Sequence, residues 1–202
     1  MSRQLDPDFI ALLQAIRERS GVARAVAELN ERCGAGAPLP APPVLLAATN
    51  AVADGYNRRG MEALSGPARI SPGAFQGEAP RSGALSDRLP APMELVLKAG
   101  ARVIFTQNDP DGRWVNGSLG VVHGFADDIV RVRIDGESET VEVARASWPQ
   151  ARWQWDDKTQ KMEVKEEVKY VQFPMAPAWA ITIHKAQGMT LDSVEVDMGR
   201  GA

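Results

Sequence analysis

The hydrophobic rhythm of the chain changes three times. Between Leu5 and Ile16 ("LDPDFIALLQAI"), Phe9, Leu12, Leu13 and Ile16 recur at helical spacing. Asp6 can cap this helix, Pro7 suits its first position, and Asp8 favours the positive end of its dipole. Gly21 ends or interrupts it. Val22 to Cys33 continues as a second amphipathic helix with Val22, Val26 and Leu29 inward, and Gly34 to Pro43 is a Gly/Pro loop. The apolar run Val44 to Ala48 predicts a buried strand that ends in the polar pair Thr49-Asn50. "AVADGYNRRGMEAL" follows as a helix, and a strand, polar turn and helix in this order mark an α/β unit. Ser65 to Pro92 is rich in Gly, Pro, Ser and Ala and reads as an exposed, irregular connection.

From Met93 the period drops to two. "MELVLKAGARVIFTQND", "GSLGVVHGF", "DIVRVRID", "ETVEVARASW" and "EVKEEVKYVQF" are alternating segments, divided by turns such as Asp109-Pro110-Asp111-Gly112 and Asp135-Gly136. Such a series predicts a small antiparallel β-barrel. "WQWDDKTQKMEV" predicts a hairpin with Trp153 and Trp155 on one face and Asp156 to Thr159 in the turn. After Pro177 the α/β rhythm returns. A strand through "WAITIH" would place Ile181 and Ile183 on one side, and Thr182 and His184 on the other. Lys185, Gln187 and Gly188 then fall in the following turn, and Ser193 to Asp197 reads as another strand. The simplest organisation is an α/β domain interrupted by a β insertion, divided as 1–92, 93–172 and 173–202. No internal repeat or coiled coil is visible.

Composition narrows the chemistry. The hydrophobic and charged shares, 44% and 24%, are those of an ordinary globular protein. No apolar run reaches the ~18 residues of a spanning helix, and the N-terminus has no signal-peptide layout, so no membrane partner is expected. The single Cys33 fits a reducing, cytoplasmic compartment. One Cys with two distant histidines, His123 and His184, does not make a metal-ligand set. A net charge of -3 argues against a basic coat but leaves room for a local basic groove. No G-x-S-x-G, no phosphate loop of the G-x-x-x-x-G-K-[ST] type and no strand ending in Asp-Glu is present, so this chain should not hydrolyse nucleotide by itself. The carboxylate pairs Asp127-Asp128, Asp156-Asp157 and Glu166-Glu167 lie in turn-like or alternating segments and read as solvated faces.

Two clusters could carry function. Thr182, His184, Lys185, Gln187 and Gly188 combine hydroxyl, imidazole, amide and glycine N–H groups suited to phosphate oxygens. The alternative is a polar strand end that only caps a helix. In the insertion, Arg113, Trp114 and Asn116 set a cation beside an aromatic, which suits single-stranded DNA, unless Trp114 belongs to the barrel core. Trp148, Trp153 and Trp155 fit core or hairpin packing.

Four segments then agree in order with one family. "AWAITIHKAQGMTLDSVEVDMG" resembles motif V of the RecD-like and petite-integration-frequency-type helicases of superfamily one. "LVLKAGARVIFTQNDPDGRWVNGSLGVV" resembles the start of their inserted SH3-like domain, and "RQLDPDFIALLQAIR" resembles motif IV. "AATNAVADGYNRR" resembles their T-N-x-x-V-x-x-x-N segment, with Ala53 and Gly55 unusual there.

The resemblance implies a second RecA-like domain of the P-loop NTPase type, without the P-loop and with an inserted SH3-like β-barrel. It also implies that the chain starts at motif IV and is cut before motif VI. ATP and Mg²⁺ would then belong to a longer parent protein and none to this piece alone. The partners would be single-stranded DNA and the first RecA-like domain of the same parent. By the same resemblance Arg3 is the motif IV arginine that reaches ATP across the cleft. Gln187, Gly188 and Thr190 face nucleotide. Thr182, His184 and Lys185 face DNA, with Thr49 and Asn50 at the neighbouring strand end, although Thr-Asn is also an ordinary helix cap. The rival reading is a non-catalytic protein–protein interaction module that uses the β-barrel.

Overall fold

The computed structural model describes residues 6–32, 42–77, 89–157, 160–189, 191 and 193–197, with residues 150–154, 156 and 163–167 described by their backbone only. The chain divides into two compact units, Met1–Pro40 and Ala41–Ala202.

The first unit is a helical pair, α1 (Pro7–Arg17) and α2 (Val22–Arg32). Asp6 caps α1, and its carboxylate accepts the N–H groups of Asp8 and Phe9 at 2.9 and 3.1 Å. The same carboxylate receives Arg32 at 3.3 Å and ties the two helices together. The inward face of α2 differs from the expectation. Ala25 is its buried residue, while Val22 and Val26 are exposed. Ala25 lies one helical turn before half-buried Glu28 and Leu29, so the packed face runs through these positions and leaves Val26 outside it.

The second unit opens with β1 (Val44–Ala47) and α3 (Asn50–Ala63). The stretch expected to be irregular contains two short strands, β2 (Arg69–Pro72) and β3 (Ala74–Gln76). Next come β4 (Glu94–Leu97), β5 (Arg102–Phe105), β6 (Leu119–Ala126), β7 (Ile129–Ile134) and β8 (Thr140–Val143). The long hairpin is β9 (Ala146–Asp156) and β10 (Lys161–Gln172). The chain continues as β11 (Met175–Pro177), β12 (Ala180–Thr182), the single-turn α4 (Ile183–Ala186) and β13 (Val194–Asp197).

These strands do not close into the expected barrel. Among the described residues β11-β5-β6-β7-β8 form an open antiparallel sheet, and β9 pairs with β10, which in turn pairs with β3, instead of returning to it. The hairpin makes its own ladder from Ala146↔Gln172 to Asp156↔Lys161.

The α/β part is a parallel sheet ordered β12-β1-β13. The continuous apolar run of β1 has a direct cause, because both of its faces are covered. Leu45 and Ala47 pack with Ala53 and Tyr56 of α3. Val44 and Leu46 face the other way, onto Ile104 of β5, Leu119 of β6 and Ile181. A fully buried Val or Ile contributes about 1.5–3 kcal/mol, so this second face is a substantial joint between the sheet and the β insertion. Strand β5 is buried along its whole length for the same reason: Val103 and Phe105 enter the insertion core, while Ile104 enters the joint.

Candidate functional site

The register Ala47↔Thr182 sets the C-terminal ends of β1 and β12 side by side. Each end carries a threonine cap. The Oγ1 of Thr49 accepts the Val52 N–H at 3.3 Å and starts α3. The Oγ1 of Thr182 accepts the Lys185 N–H at 3.4 Å and starts α4. Thr182 is buried, while Asn50 and Lys185 project from the first turns and are exposed. Strand C-termini of this kind are where α/β sheets place ligands.

A groove of about 950 Å³ opens at these ends. Its walls include Asn50 and Asn57 of α3, Thr182 and Lys185, and Thr106 and Asn116 from the insertion. Lys98 also lines it, with its ammonium donating to the Leu64 carbonyl at 2.8 Å. The carboxylates Asp54, Glu62 and Glu94 share the wall, so the groove is not uniformly basic. The Thr106 hydroxyl is buried and has no hydrogen-bond partner among the described residues.

His184 departs from the expectation. The strand ends at Thr182, because the cap turns the chain into α4 at the next residue. In a strand, positions 182 and 184 share a face; in a helical turn, 182 and 185 do. Thr182 and Lys185 therefore line the groove together, and exposed His184 does not. Gln187 and Gly188 also lie outside the groove lining. Gln187 ends α4 with its N–H on the His184 carbonyl at 3.3 Å, and Gly188 takes φ +80°. Arg3 and Thr190 lie outside the described residues.

The insertion loop corrects a second expectation. Trp114 is a core residue, with its ring stacked on Phe105 at 4.6 Å and its indole N–H donating to the Gln107 carbonyl at 3.2 Å. No face of it is left for a base. Arg113 is engaged by buried Asp109, whose carboxylate accepts Nε at 2.7 Å, Nη2 at 2.8 Å and the main-chain N–H at 3.0 Å. The Arg113 side-chain hydrogen bonds hold the Asp109 carboxyl below its ordinary range, and Asp109 raises Arg113 in return. These two residues brace the loop that presents Asn116, whose N–H is held by the Asn108 side chain at 2.7 Å. Gly117 closes the loop at φ +95°, which a side chain would strain, and a Cβ there would sit tightly at 3.1 Å from Met189 Cγ.

One residue of the groove was matched in the sequence only as the last Asn of the T-N-x-x-V-x-x-x-N segment and was given no role there. Asn57 donates from Nδ2 to the Ala180 carbonyl and accepts the Ala180 N–H at Oδ1, both at 2.9 Å. Its signal was present: it lies seven residues after Asn50, two helical turns along the same face.

No protein-family model matches the chain. It is similar to ATP-dependent DNA helicase Pif1 of Bdellovibrio bacteriovorus, 32% identical over 148 residues, which cover 73% of this chain and 31% of that protein. The mouse ATP-dependent DNA helicase PIF1 is 32% identical over 208 residues, covering 98% of this chain and 29% of that protein. Among solved structures, unliganded Pif1 from Bacteroides sp superposes with a TM-score of 0.78 at 27% identity, over 99% of this chain and 45% of that one. Bacteroides Pif1 in complex with ADP-AlF3 and ssDNA gives 0.67 at 26% identity, over 100% of this chain and 45% of that one. The chain thus spans about 30% of the length of the curated relatives it matches. By sequence and by RecA-like α/β fold, it belongs with the Pif1-type helicases of superfamily one.

Proposed function

We propose that the chain is the second RecA-like part of an ATP-dependent DNA helicase, carrying an SH3-like insertion between residues 93 and 172, and that its groove holds single-stranded DNA. The observation that supports this most is the meeting of Asn50, Thr182, Lys185 and Asn116 in one groove at the sheet's C-terminal edge. Hydroxyl, amide and ammonium groups suit a phosphate backbone and carry little base information, so binding is largely sequence-independent. Lys185 supplies the charge, Thr182 sets the turn that aims it, and Asn50 and Asn116 contribute from α3 and from the insertion loop. Arg113 and Trp114 support the loop rather than touch the strand. Thr49 acts through its cap.

His184, Gln187 and Gly188 do not line the groove. With Thr190 they suit the nucleotide side, where the ATP and Mg²⁺ of the longer protein would be held mainly by a first RecA-like domain; the resemblance gives Arg3 a nucleotide role of its own. One turn would then touch both ligands. In this reading the chain alone turns over no ATP, and measurable turnover would overturn it.

The direct test is a titration of labelled oligo-dT at low salt. Salt-sensitive binding that Thr182→Val and Lys185→Ala both weaken supports the groove. Binding that ignores both substitutions counts against it. One observation favours the rival interaction module: Trp155 and Met162 are cross-strand partners on the hairpin and are 52% and 53% exposed. That reading is preferred if oligo-dT does not bind and Trp155→Ser releases a protein partner.

A further inference from the structure

We propose that Asn57 is the positioning residue that locks the Thr182–Lys185 turn to α3, so that the two sides of the groove grip a single strand as one body. This rests on the reading of the groove given above.

Strand β12 is an edge of the parallel sheet among the described residues. Its inner side pairs with β1, where the Leu45 N–H donates to the Trp179 carbonyl at 3.0 Å. The alternation of a parallel ladder therefore turns the Ala180 N–H and C=O outward. Ala180 is almost completely buried, so leaving those two groups unpaired would be costly. Asn57 takes both, donating at 2.9 Å and accepting at 2.9 Å, as a neighbouring strand would.

The side-chain choice follows from the geometry. A planar amide offers one donor and one acceptor side by side, matching the peptide edge. Asp lacks the donor and would set a carboxylate against the Ala180 carbonyl. Gln reaches one methylene farther and would need α3 to stand off. A second contact opposes that move: Gly60, one turn on, lies against the Trp179 ring, and a Cβ there would overlap it. The distance between α3 and β12 is thus fixed by one polar clamp and one close apolar contact.

The consequence is directional. Asn57 lies on the same face of α3 as Asn50, and Ala180 lies two residues before the Thr182 cap. The clamp therefore sets Asn50 on one helix relative to Thr182 and Lys185 on the other element. Asn57 acts through those residues, with one donor and one acceptor of its amide committed to the main chain.

The test compares oligo-dT affinity and amide hydrogen exchange in the chain with Asn57→Leu and Asn57→Gln, each alone and combined with Thr182→Val. Val130→Ala, a core change in the insertion, serves as a stability control, and all measurements are made where every variant is folded by circular dichroism. Asn57→Leu is expected to weaken binding by about tenfold, the scale of one lost hydrogen-bond pair. It should also speed exchange at Ala180 and Lys185. In the Thr182→Val background the further loss should be under about twofold, because both changes release the same turn. Val130→Ala should lower the melting temperature and leave affinity unchanged.

The assignment is overturned if Asn57→Leu keeps wild-type affinity, if its effect multiplies with that of Thr182→Val, or if Val130→Ala weakens binding equally. Absence of wild-type binding would sink the groove reading itself. The exchange data would then still decide whether Asn57 holds the turn, and unchanged exchange would reject that as well.

Discussion

The terminal turn and the insertion loop use similar residues in opposite ways. In Thr182 to Gly188 the cap is made by one buried threonine, and the polar side chains that follow point outward. In Gln107 to Gly117 the cation and the aromatic are already engaged: Arg113, although exposed, is held by buried Asp109, and buried Trp114 stacks on Phe105. A cation beside an aromatic is thus no sign of a ligand unless the fold leaves both of them free. The turn spends little on itself and offers Lys185, which has no ion-pair partner among the described residues. The loop uses nearly all its side-chain bonds to hold itself in place, with Asn116 at the groove.

Breaking the loop should have the largest effect on stability. Trp114→Ala removes a buried ring from the insertion core and should cost about 3–5 kcal/mol, read as a fall in the urea midpoint. A stable variant with weakened oligo-dT binding would instead make Trp114 a stacking platform and erase the contrast.

Asp109→Asn comes next. It removes the charge that receives two Arg113 side-chain bonds, a loss of about 1.5–3 kcal/mol at neutral pH. The pH dependence has a definite sign. Asp109 has a folded-state pKa below its ordinary 3.8, so its contribution is fully present above that value and is lost as pH falls through the lowered one. The stability gap between wild type and Asp109→Asn should therefore be flat near neutrality and shrink only in strong acid. A gap that opened on acidification would contradict the ion-pair account.

Much of this was legible in the sequence where local chemistry decides. The Asp6-Pro7 helix start, the run of β1, the Thr49 cap and the strand–turn–helix order each follow from a few adjacent residues. Most of the failures arise where tertiary pairing chose between local options, and one where a local cap did. The alternating segments of the insertion allow a barrel or an open sheet, and the long β9–β10 ladder selects the latter. "WAITIH" can continue as a strand or turn at Thr182, and the cap decides. That choice moved His184 out of the groove and brought Lys185 into it. Trp114 could face either way until Phe105 was seen opposite it. Asn57 was visible as a polar residue on an apolar helix face, but its partner is the main chain of Ala180, and no sequence pattern names a backbone partner 123 residues away.

The smallest expected change in stability belongs to Lys185→Ala, and that substitution tests the central contrast most directly. Its side chain is exposed and should contribute less than about 0.5 kcal/mol to folding. The measurement is the slope of log binding constant against log salt for oligo-dT, wild type against Lys185→Ala. If Lys185 meets a phosphate in the groove, the magnitude of the slope should fall by about one while the melting temperature stays unchanged. An unchanged slope would mean that the turn does not meet the phosphate backbone, and the groove would lose its assigned ligand.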